Sequence, residues 1–147
     1  MKVIFLDIDG VLNSLRSAHA FNGYPHDFSK ESLKQFDWVA IELIKRVCDE
    51  TNAKIVISST WRKQHSIEDF KNYLKLDIID KTPTMMGGRG YEIQKWLADK
   101  ENIEKYAIID DDNDMLPEQM EFFVHTSHKE GFLYKDYCKL LKILNKE

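Results

Sequence analysis

The chain has 147 residues, 21 Lys and Arg against 25 Asp and Glu, a formal net charge of −4, and 43% hydrophobic and 31% charged residues. That is the length of one domain with a core of its own, and the composition of a soluble globular protein rather than a disordered one. No apolar run is long enough to span a bilayer, and the acidic balance argues against broad attraction to nucleic acid without excluding one specific nucleic-acid end.

The opening MKVIFLDIDG has one Lys and then acids where a secretory signal needs a longer apolar run and small residues, so a cytoplasmic protein with no membrane role is expected. Its first apolar run, Val3–Leu6, predicts a strand that ends in Asp7-Ile8-Asp9-Gly10. Asp and Gly favour a tight turn. A second carboxylate two positions earlier needs another reason. Side chains alternate along an extended backbone, so Asp7 and Asp9 would face one way and repel unless a cation relieves them.

Residues 14–36, with Gly23 and Pro25, read as a loop or small flap over the carboxyl edge of the sheet. Asp37 is a plausible N-cap for a helix whose buried face is Ala40, Leu43, Ile44, Val47 and Cys48. The run Ile55–Ile57 predicts a strand ending in Ser58-Ser59-Thr60-Trp61-Arg62. Ser66 caps the next helix, which buries Ile67, Phe70 and Leu74, and a weaker strand follows at Ile78–Ile79. The glycine-rich Met85–Gly90 leads into a helix with Ile93, Trp96 and Leu97 inward. Ala107–Ile109 predicts a strand ending in Asp110-Asp111-Asp112-Asn113-Asp114, Phe122–Val124 another, and Tyr137, Leu140, Leu141 and Leu144 mark the last helix. Cys48 and Cys138 fall in helical apolar patterns outside any CxxC pair and read as buried structural thiols.

Short apolar runs alternating with helical patterns predict an α/β, Rossmann-like three-layer domain over residues 1–147. Its parallel sheet has about five strands, and its cap is minimal or absent. Such sheets bind ligands beyond the carboxyl ends of their strands. The acids, hydroxyls and cations gather at those ends. Four acids on one tip are unfavourable without a compensating cation, and their oxygen ligands suit Mg²⁺. The hydroxyls of Ser58–Thr60 could cap a turn or donate to a phosphate.

These stretches resemble the haloacid dehalogenase (HAD) superfamily of phosphohydrolases, with all four motifs placed across nearly the whole chain. "IFLDIDGVLN" matches the first, "KIVISST" the second, Arg89 in "GGRGYEI" the third and "AIIDDDND" the fourth. The set "DIDGVLN", "SSTWR", "RGYEIQKWL" and "IIDDD" further resembles the small HAD branch associated with RNA-repair proteins. The resemblance implies a Mg²⁺-dependent phosphatase in which Asp7 is the nucleophile that forms an aspartyl-phosphate. Asp9 would be general acid and then general base, and Mg²⁺ would be held by Asp7, the Asp9 backbone carbonyl and Asp110–Asp111. Ser58, or its neighbour Ser59, would bind the phosphoryl oxygens with Gly10 at the turn. Arg89 would pair with the phosphoryl group, with Lys81 and Lys95 as rivals for that place. Asp114 has the spacing to support the metal shell.

HAD enzymes commonly choose substrates with an inserted cap. Here residues 14–36 allow only a flap and residues 75–90 are too short for a folded cap, which implies an open site and favours a large substrate. Trp61, Arg62, Lys63 and His65 place an aromatic beside cations, which suggests stacking on a polynucleotide end, most simply a 3′-phosphate. The other reading is that Trp61 packs at the sheet edge. A small phosphorylated metabolite or nucleotide is the alternative substrate, and a non-catalytic phosphoacceptor domain the alternative class. No obligate protein partner is implied.

Overall fold

Val3, Ile4, Phe5 and Leu6 are all fully buried, and they form the middle of the sheet. The computed structural model describes residues 1–145. Strand β1 is Lys2–Leu6, followed by the short helices α1 (Leu15–Ala20) and α2 (Lys30–Leu33), then α3 (Trp38–Thr51) and β2 (Lys54–Ile57). After a 3₁₀ turn at Thr60–Lys63 come α4 (Ile67–Leu74), β3 (Ile78–Lys81), α5 (Arg89–Ala98) and β4 (Lys105–Asp110). A second 3₁₀ turn at Pro117–Phe122 leads to β5 (Phe123–His125) and α6 (Tyr134–Asn145). The five strands are parallel in the order β3-β2-β1-β4-β5, the expected Rossmann-like arrangement.

Period-two alternation divides each central strand between two cores. Ile4, Leu6, Ile55, Ile57, Ala107 and Ile109 face the layer that holds Ile44 and Val47 of α3, Phe70 of α4 and Leu140 of α6. Val3, Phe5, Val56 and Ile108 face Ile93 and Trp96 of α5. Strands buried on both faces cannot show a polar and an apolar side, which is why the runs read as continuous apolar stretches.

The helix starts follow their caps. The Asp37 carboxylate accepts the amides of Val39 and Ala40, and the Ser66 hydroxyl accepts that of Asp69. The flap is firmer than a loop. Phe28, between α1 and α2, packs against Trp61, Phe70 and Tyr73 with ring centroids 5.3 to 5.5 Å apart, which pins the flap to α4. One expectation fails: Cys48 is buried, with its thiol pushed up to about 12 by burial, but Cys138 is exposed. Cys138 lies on the outer side of α6, next to inward Tyr137, so helical spacing misassigned it by one position. No helix among the described residues is long and apolar enough to cross a membrane.

Candidate active site

The chain goes up β1 and outward through β2 to β3, then returns to place β4 on the other side of β1. That reversal leaves a crevice at the carboxyl ends of β1 and β4, where open α/β sheets bind ligands. The register pairs Leu6 with both Ile57 and Ile109, so Asp7 has Ser58 beside it on one side and Asp110 on the other. Asp7 N donates to the Ile109 carbonyl at 3.0 Å and Ser58 N to the Leu6 carbonyl at 3.0 Å, which carries the pairing to the strand tips.

Asp7, Asp110 and Asp111 each offer a carboxylate oxygen, and these oxygens lie within 4.8 Å of one another. Arg89 Nη1 is 3.2 Å from Asp7 Oδ1 and 2.5 Å from Asp110 Oδ2. One guanidinium among three carboxylates leaves two negative charges uncompensated in a largely buried place. Burial, then Asp110, push the Asp7 carboxyl up from 3.8 to about 9, with Arg89 opposing them. Asp110 is also raised, chiefly by burial, again against Arg89. A divalent cation fits this set in charge and in ligand type.

Arg89 is the cation that reaches the acids. Lys81 is exposed and contacts the Arg62 carbonyl, while Lys95 pairs with Asp99 along its own helix. Asp114 acts on Arg89 from the other end: its carboxylate accepts the Arg89 amide at 3.1 Å and its carbonyl the Gly90 amide at 3.0 Å. It thus caps α5, whose own N-cap residue, Gly88, has no side chain to do so. Asp114 is outside the carboxylate cluster, and exposed Asp112 only donates its amide to Asp110.

The two serines separate. The Ser59 hydroxyl caps the 3₁₀ turn by accepting the Trp61 amide at 3.2 Å. The Ser58 hydroxyl is fully buried and has no partner among the described residues. An orphan hydroxyl beside Asp7 is costly unless a ligand satisfies it.

Asp9 follows the strand end but is held apart from the acidic cluster. Its Oδ1 accepts the Asn13 side-chain amide at 3.0 Å and the Trp61 indole N–H at 3.2 Å. Asn13 also accepts the Gly10 amide at 3.2 Å, and Thr126 donates to the Gly10 carbonyl at 2.8 Å. Gly10 has a φ of +80°, and a Cβ there would collide with the Asp111 side chain. Both of its backbone groups are therefore engaged in shaping the turn.

Trp61 is not a free stacking platform. It is 7% exposed and packs among Phe28, Phe36 and His65. Arg62 is equally unavailable. It pairs with Glu92 at 2.8 Å and donates to the carbonyls of Ser58, Ser59, Thr82 and Pro83. Only Lys63 of that trio is exposed. A 3₁₀ turn explains the difference, since it points Trp61 and Arg62 inward and leaves Lys63 at the rim.

The sequence reading missed Asn13, Thr126, Glu92 and Phe28. Asn13 stands in the first motif itself, and its spacing of four from Asp9 was the available signal. The others reach the site only through tertiary contacts.

No curated protein and no solved structure matches the chain. A family model described as the HAD domain in Swiss Army Knife RNA repair proteins matches residues 3–137. That match takes in every motif placed above, and the chain therefore belongs to this RNA-repair-associated branch of the HAD superfamily of phosphohydrolases.

Proposed function

We propose that the protein is a Mg²⁺-dependent phosphomonoesterase that works through an aspartyl-phosphate on Asp7 and acts on polynucleotide ends carrying a 3′-phosphate. The observation that carries the reading is Asp7 between the orphan Ser58 hydroxyl and Asp110, with Arg89 on both carboxylates.

Asp7, Asp110 and Asp111 would hold the ion, which when bound neutralises charge on the phosphoryl group and keeps Asp7 ionised. Ser58 and Arg89 bind the phosphoryl oxygens and hold phosphorus in line with Asp7. Asp7 attacks phosphorus as the bond to the leaving oxygen breaks, and Asp9 gives that oxygen a proton. Its Oδ1 already accepts two donors, so Oδ2 carries the proton. A water then attacks the aspartyl-phosphate, Asp9 takes its proton, and inorganic phosphate leaves with Asp7 restored.

The family's association with RNA repair and a site roofed only by the flap support a polymer substrate. Binding energy must then come from contacts outside the phosphoryl pocket. Two free cysteines suit the reducing cytoplasm. The test is Mg²⁺-dependent release of phosphate from p-nitrophenyl phosphate and from 3′-phosphorylated oligonucleotides. Asp7→Ala should abolish it, and Asp9→Asn should cost about 10² or more. Undiminished turnover in Asp7→Ala overturns the covalent mechanism. Faster turnover of sugar phosphates than of oligonucleotides overturns the substrate.

A further inference from the structure

Two clefts flank the 3₁₀ turn Thr60–Lys63, and Lys63 lines both. The first, of about 120 Å³, includes Arg62, Lys63 and Arg89, with Glu92, Asp112 and Asp114 also in its wall. Arg62 pairs with Glu92 and Arg89 contacts Asp7 and Asp110, so the remaining charges in this wall are Lys63, Asp112 and Asp114, a net acidic set. The second, of about 300 Å³, runs between the turn and the flap and includes Asp9, His26, Lys63 and His65. Asp9 is the acid in its lining, and His26 Nε2 lies 3.6 Å from the Asp27 carboxylate at its edge.

The second cleft is also built rather than incidental. Its floor is Trp61, which fixes Asp9 on one side and packs on His65 at 5.1 Å on the other. His65 lies 5.1 Å from Phe28, the residue that anchors the flap. His26 stands on the flap, its amide donating to Ser32 Oγ at 3.4 Å, next to buried Pro25. The aromatic cluster of Phe28, Trp61 and His65 thus joins the two walls from beneath.

The group that protonates the leaving oxygen lines this cleft, so the leaving group must enter it. From this we propose that the cleft is a leaving-group subsite for an alcohol carrying a second phosphate or phosphodiester, which Lys63 binds with the ring N–H groups of His26 and His65. The acids of the other cleft, Glu92, Asp112 and Asp114, disfavour such a group there, whereas the acid in the wall of this one is Asp9. This rests on the phosphohydrolase reading and adds to it which residues select the substrate. The flap supplies one of them and so forms one wall of the subsite.

The test compares substrates with one reacting group: a nucleoside 3′-phosphate, the matching 3′,5′-bisphosphate, and a dinucleotide 3′-phosphate. The wild type should favour the two substrates that carry a second anionic group at least tenfold in kcat/KM, mainly through KM, and the preference should shrink as salt is raised. Lys63→Glu should abolish the preference and Lys63→Arg should keep it. A bisphosphate preferred over the dinucleotide assigns the second anion as a terminal phosphate, and the reverse as a chain phosphodiester. Equal kcat/KM for all three in the wild type overturns the subsite, as does an equal loss on all three in Lys63→Glu. Failure to hydrolyse these substrates and p-nitrophenyl phosphate alike overturns the phosphatase reading instead.

Discussion

Trp61 donates its indole N–H to Asp9 Oδ1 at 3.2 Å, the same oxygen that accepts the Asn13 amide at 3.0 Å. The expected base-stacking residue is thus an anchor for the expected acid. Trp61→Phe keeps an aromatic ring against Phe28 and Phe36 but removes the donor. A loosened acid matters most when the leaving oxygen needs a proton. The ratio of kcat for dinitrophenyl phosphate to kcat for an alkyl phosphate should rise about tenfold or more. An unchanged ratio would show that the bond positions nothing.

Asp7 supplies a pH prediction. Its carboxyl is raised from 3.8 to about 9 by burial and Asp110, so in chelator the folded chain keeps a proton that the unfolded chain has lost. Stability from this group is complete below about pH 4 and is lost as the pH rises toward 9. The wild type's Tm in chelator should therefore fall across this window. Asp7→Asn, which mimics the protonated form, should have the higher Tm at pH 8 and a flatter profile. Identical profiles in chelator would contradict this.

Mg²⁺ should reverse that loss. A ligand that binds only the folded state adds about 2.7 kcal/mol at a concentration 100 times its Kd. The thermal shift should be large at pH 8 and small at pH 5, because protons compete for Asp7 and Asp110. Asp110→Asn should remove most of it at both. A shift that survives in Asp110→Asn would place the ion elsewhere.

The Arg62–Glu92 pair has side chains only 3% and 10% exposed and joins the loops after β2 and β3 to α5. Glu92 also accepts the Met85 amide at 3.0 Å. Arg62→Leu strands a buried carboxylate and should cost about 3–5 kcal/mol in urea unfolding. Replacing both partners by Leu should cost less than that single change, and the reverse order would mean the pair itself is net stabilising.

The five strands, the four longer helices and the tips that carry the chemistry were legible in the residues, whereas the short helices of the flap and the two 3₁₀ turns were not. Continuous apolar runs such as Val3–Leu6 and Ala107–Ile109 admit few structures, and a parallel sheet gathers whatever follows them at one edge. Asp7, Ser58 and Asp110 were legible for that reason, because each immediately follows a buried run. What the sequence left open were roles set by direction rather than position. Ser58 and Ser59 are chemically identical neighbours, and only the 3₁₀ turn, which uses the Ser59 hydroxyl as its cap, separates them. Arg89 prevailed over Lys81 and Lys95 because the Gly88 bend and Asp114 aim the start of α5 at the β4 tip. Trp61 and Arg62 read as a rim and proved to be a floor. A single turn rotated them inward, where Glu92, 30 residues on, and Phe28, from the flap, were waiting as partners. Contacts between segments so far apart leave no local periodicity in a sequence, so tertiary structure alone could decide them.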